Sequence, residues 1–150
     1  MRIAPLALTA ALGLAAALPL SAQQVPAAAA VKARQAHMTL YAANLGVLGG
    51  MAQGRMEYDA AMAQAAADNL AVLSQMDQGL YWMPGTSVDD VEGSRALPAI
   101  WEDGSDIQAH GMALAEAAVA SDGLEAVQGA MGPIGAACGG CHEDYRQSND

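Results

Sequence analysis

Residues 124–146 read "LEAVQGAMGPIGAACGGCHEDYR" and place Leu124, Val127, Met131, Ile134, Cys138, Cys141 and Tyr145 three or four positions apart. That alternation is the seam of a helix that packs at a shallow angle against other helices. The chain's only two cysteines lie on this seam, in register with core residues, and His142 follows one turn after Cys138. Both thiols and the imidazole therefore belong near the inner side of a packed helix.

The same rule extends toward the N-terminus. One helix is expected from Val25-Pro26 to Gly49-Gly50 or Gly54, because proline suits a first helical turn; its seam is Arg34, Met38, Tyr41, Leu45 and Leu48. A second is expected to start with Asp59 as N-cap and run to about Gly79, with Met62, Ala66, Leu73, Met76 and Leu80 inward. A third is expected from Pro98 to Ser121, with Ile100, Ile107 and Leu114 one heptad apart. Asp122, followed three residues later by Glu125, reads as the capping box of the fourth. Four such helices and no strands define an all-α, antiparallel four-helix bundle, an architecture whose core accepts cofactors. Residues 80–97, with Pro84-Gly85 and Gly93, form a connection longer than bundle loops usually need. It is either a surface loop or a strap across a cofactor's edge, where Tyr81, Trp82 and Met83 would find cover.

Composition restricts the functions open to such a bundle. The chain opens with one arginine, an apolar run from Ile3 to Leu20 and then Ser21-Ala22, the layout of a cleaved secretory signal. A membrane anchor is the alternative for so long a run, but Pro5 and Pro19 interrupt it and no basic cluster follows. Export with cleavage after Ala22 leaves one domain, 23–150, that is not an integral membrane protein. Five basic residues then stand against sixteen acidic ones, which disfavours nucleic acid and calls for a partner with a basic docking face. With 53% apolar and 15% charged residues, the chain is built to fold.

Cys-x-x-Cys-His at 138–142 is the attachment signal of c-type haem: two thiols add to the vinyl groups and the histidine ligates iron. On a helix, Cys138 and Cys141 project to one side, so a planar macrocycle bonded to both would lie along helix four. Two rivals remain open. A redox disulfide normally opens a helix in a sheet-containing fold, and here the pair lies near a helix end. A zinc site would need His37 and His110 to join the motif. His37 points about 100° around the helix from Met38, and both histidines are expected at the surface. No carboxylate pair stands out for acid/base work, and nothing resembles a distal His–Arg pair of a peroxidase, so no enzyme is expected.

The leader, the four-helix pattern, Arg34-Gln35 and C-x-x-C-H-x-x-Y-R at 138–146 resemble the class II c-type cytochromes, the cytochrome c′ family. "EYDAA" at 57–61 and "LPAIWED" at 97–103 also sit where members carry similar strings. The resemblance implies one covalent haem c per chain, with Cys138 and Cys141 as thioether anchors and His142 as proximal iron ligand, in a periplasmic electron-transfer protein. It implies that Arg34 and Gln35 stand beside the haem propionates and Arg146 close to the proximal histidine. Arg95 lies within reach of a propionate on this reading, with an exposed loop position as the plainer one. Met38, four residues after Arg34, matches the position facing the distal side of iron. "AMGPIGAACGGCHEDYR" is more similar to the low-spin branch, in which a methionine there is the sixth ligand. "RQ" is more similar to the high-spin branch, whose five-coordinate iron binds NO or CO. Relatives that form homodimers through helices one and two imply the same for Ala42, Ala43 and Gly46.

Overall fold

The computed structural model describes residues 25–118 and 123–148. The leader, residues 1–22, and Asp122 of the expected capping box lie outside these. Four α-helices carry the fold: α1 (Ala27–Ala52), α2 (Ala60–Gln75), α3 (Ile107–Ala117) and α4 (Leu124–Tyr145). Each packs on two others in the ring order α1–α2–α3–α4–α1, the arrangement of an up-and-down antiparallel bundle. Among the described residues there is no strand, only one isolated bridge between Ala96 and Arg146.

Asp59 caps α2, its carboxylate accepting from the Met62 backbone N–H at 2.8 Å. Pro26 precedes α1, where its lack of an N–H is harmless. Gly123, at a φ of 108° that favours glycine, leads into α4. Pro133 sits within α4 and removes one helical hydrogen bond, yet the helix continues through the cysteine motif. The main core cluster surrounds Leu48, Met51, Leu70, Leu114, Val127 and Ile134, with Ala63, Ala66 and Ala137 filling the gaps between helices, and a smaller one joins Ala96, Ile100 and Tyr145.

Two expected elements differ. Residues 98–101 form a single 3-10 turn rather than the start of α3, which begins at Ile107. The Tyr145 hydroxyl accepts from the Asp106 N–H at 2.9 Å and donates to the Asp106 carboxylate at 2.6 Å, anchoring this start from across the bundle. The inward face of α2 keeps Ala66 as expected but loses Met62, Met76 and Leu80 from the expected seam. Ala63, Ala66, Ala67 and Leu70 are buried, whereas Met62 and Met76 are exposed, as is Leu80 beyond the helix. Small side chains let the helices approach, so alanine takes the seam and methionine the outside. Leu124, expected inward on α4, is also exposed.

The long connection between α2 and α3 is a built structure rather than a loose loop. Thr86, Ser87 and Ser94 are buried, and the Val88 N–H donates to the Ala96 carbonyl at 2.8 Å. Gly85 and Gly93 adopt φ values of 77° and 82° at its turns. Beyond it, residues 95–97 run beside the C-terminal segment: Leu97 N–H donates to the Tyr145 carbonyl and Gln147 N–H to the Arg95 carbonyl, at 2.9 and 2.8 Å.

Candidate cofactor site

Two adjoining cavities, of 360 and 1220 Å³, open among α1, α4 and the long connection and share Met38, Trp82, Cys141 and His142 in their walls. The larger one runs into the bundle past Tyr41, Leu45, Leu70, Ile134 and Cys138. The smaller one is lined by Arg34, Gln35, Arg95 and Arg146 as well as the shared residues. Every residue that the sequence assigns to the cofactor thus lines this pair of cavities, although the assignments came from opposite ends of the chain. Together the voids are on the scale of a small-molecule or cofactor site. Their deep part is apolar and their outer part carries cations, which fits an amphipathic macrocycle with a carboxylate-bearing edge.

The electrostatics distinguish between the rival readings. The thiols are free and partly buried. Burial pushes the Cys138 thiol up, and burial with Cys138, Asp144 and Asp106 nearby pushes Cys141 up to about 11. A dithiol exchange site needs a stabilised thiolate, so these cysteines are poorly suited to that chemistry. Burial, followed by the charges of Arg146 and Arg95, holds His142 below the usual histidine range. Its imidazole is therefore neutral near pH 7, the form that ligates a metal. Among the described residues no group of three or more His, Cys, Asp or Glu side chains converges on a metal position.

Both outlying histidines correct the expectation that they lie at the surface. His37 is only 4% exposed, its ring edge-on to Tyr41 at 4.6 Å and 5.9 Å from Tyr81, and its Nε2 has no hydrogen-bond partner. Burial lowers its pKa, an effect partly offset by a hydrogen bond that the imidazole donates to the Leu73 backbone carbonyl. It does not line either cavity. His110 has a side chain 20% exposed and lies against the attachment motif: a Cβ on Gly140 would sit 3.0 Å from its Cε1. Its Nε2 lies 3.6 Å from Asp106 and 3.7 Å from Asp144 without a hydrogen bond to either.

A sequence model of the family "Cytochrome C'" matches residues 29–146, nearly all of the described chain. The chain belongs to the cytochrome c′ family. Among curated relatives, cytochrome c′ of Cereibacter sphaeroides is 42% identical over 138 residues, covering 89% of this chain and 93% of that one. Cytochrome c-554 of the same organism is 43% identical over 124 residues, 79% of this chain and 81% of that one. Among solved structures, a cytochrome c′ from "Rhodobacter Spheriodes" superposes with a TM-score of 0.78 at 40% identity, covering 83% of this chain and all of that one. Another, 31% identical with a TM-score of 0.67 over 83% of this chain and 98% of that one, is described as a cytochrome c′ with an unusual ligand-controlled dimer dissociation.

As in the rest of the cytochrome c′ family, the cofactor is covalently attached haem c. No helix among the described residues is long and apolar enough to cross a membrane. What sequence reasoning did not find is the polar packing beneath the long connection. Thr86 and Ser94 hold that segment to Arg34 through hydrogen bonds of 2.9–3.2 Å. Their only sequence signal is being short hydroxyl residues between glycine turns.

Proposed function

We propose that this chain is a periplasmic one-electron carrier, and not an enzyme, in which Cys138 and Cys141 hold haem c, His142 ligates iron from the proximal side and Met38 from the distal side. The observation that carries the reading is that Met38 on α1 and His142 on α4 line both cavities, from different helices. A thioether is the available soft donor on the α1 side, and methionine ligation raises the reduction potential. His37, buried edge-on to Tyr41, lines neither cavity, so it is not positioned as a distal acid or base for peroxide chemistry. Arg95 and Arg146 line the smaller cavity, which supports reading them as the cations that meet haem carboxylates.

Residues 1–22 are the export leader in this reading, and the mature domain is 23–150. Its acidic balance selects a redox partner with a basic docking face. Exposed Ala42, Ala43 and Gly46 on α1 offer a close-approach surface for a second copy. A five-coordinate, gas-binding protein is the second reading, supported by the relatives that bear the name cytochrome c′.

Optical spectra of the purified protein separate the two. A sharp α-band on reduction that does not change on adding CO supports the carrier. Broad bands and a CO adduct in the wild-type protein would replace it with the gas-binding reading.

A further inference from the structure

Arg34 is 5% exposed, and among the described residues no carboxylate forms an ion pair with it. A guanidinium has five N–H groups, four of them on its two Nη atoms. Here Nη1 donates to the Tyr81 carbonyl at 3.1 Å and the Thr86 hydroxyl at 3.2 Å, and Nη2 to the Thr86 carbonyl and the Ser94 hydroxyl, both at 2.9 Å. The carbon at the centre of the guanidinium lies 4.6 Å over the Trp82 ring. The next residue follows suit, with Gln35 Nε2 donating to the Gly93 carbonyl at 2.9 Å. The acceptors interlock in turn, since the Ser94 hydroxyl donates to the Thr86 carbonyl and the Thr86 hydroxyl to the Met83 carbonyl. All four Nη hydrogens of Arg34 are thus committed to residues 81–94.

We infer that Arg34 and Gln35 are a clasp that holds residues 81–94 closed over the haem edge, with Arg34 a positioning residue for that segment. The clasp presses Trp82 into the wall that both cavities share. Haem-edge exposure to water is one of the protein's controls on reduction potential, and a closed strap keeps that edge dry. A lysine would not reproduce this, because a point charge with three donors cannot span four acceptors set in a planar fork.

The inference rests on the macrocycle occupying these cavities, so its test reads the strap and the haem separately. In haem-loaded protein carrying Trp101→Phe, Trp82 is the remaining indole and is quenched by a nearby haem. Arg34→Ala should raise hydrogen exchange across amides 83–94 by roughly tenfold or more, as expected when several ordinary hydrogen bonds are lost. Exchange in the core of α4 should hold, Trp82 emission should rise, and the reduction potential should fall. Arg34→Lys should recover only part of each change. Should Arg34→Ala not fold, Ser94→Ala and Gln35→Ala are the milder probes of the same segment. Unchanged exchange over 83–94 in Arg34→Ala, or in both milder variants, overturns the clasp. Raised exchange without any change in Trp82 emission overturns the placement of the strap on the haem.

Discussion

At the scale of single residues, the decisive position is Met38. It lines both cavities together with His142. Met38→Ala should convert a low-spin, CO-insensitive protein into one with high-spin bands that binds CO. An unchanged spectrum would show that the methionine only packs. Gly140 is a second informative residue. An added Cβ would stand 3.0 Å from His110 Cε1 and 3.3 Å from Nδ1, so Gly140→Ala requires the His110 ring to give way by a few tenths of an ångström. Overpacking of this kind costs about 1–3 kcal/mol. The loss should be visible in denaturant unfolding of the haem-loaded protein and largely relieved by adding His110→Ala. Because alanine also returns about 1 kcal/mol of helix propensity inside α4, the contact is read from the double variant: a Gly140→Ala protein that gains no stability from His110→Ala would contradict it. The attachment motif was legible from sequence because its chemistry needs fixed residues at fixed spacing. His37 and His110 were not, because their cover comes from segments far along the chain, Leu73 to Tyr81 for one and α4 for the other.

At the scale of elements, the helices were legible where a cap or a clear periodicity marks them, as at Pro26 and Asp59 by their caps and along α4 by its periodicity. They were misread where tertiary contacts decide. In α2 the methionines were expected inward beside Ala66, yet close helix packing selects Ala63 and Ala67 to join it. At the start of α3, a hydroxyl from Tyr145 takes the place of a local signal. The contact between α1 and the end of α2 has a pH signature. Burial depresses the pKa of His37 from its ordinary 6.5, so the unfolded chain takes up a proton there that the folded chain resists. Stability should be full above that value and decline as pH falls below it. Haem-loaded His37→Gln should lose less denaturation midpoint between pH 7.5 and 5 than wild type. Identical losses would mean that this contact does not feel the proton.

At the scale of the whole molecule, the bundle was foreseeable because four amphipathic segments with few β-branched residues have one economical way to bury their seams. The strap was foreseen only as one of two options, since its buried hydroxyls carry no periodic signal. Charge also acts at this scale. The formal charge of −10 should steer cationic reagents toward the surface and repel anionic ones. Oxidation of the reduced protein by a cationic cobalt complex should therefore slow as salt is raised, and oxidation by an anionic iron complex should accelerate. The opposite pair of slopes would mean that the arginine-lined rim, rather than the overall charge, governs encounter. Electron paramagnetic resonance of the frozen, oxidised protein addresses the axial pair itself. The account predicts the rhombic signal of low-spin iron held between His142 and Met38; an axial high-spin signal would contradict it.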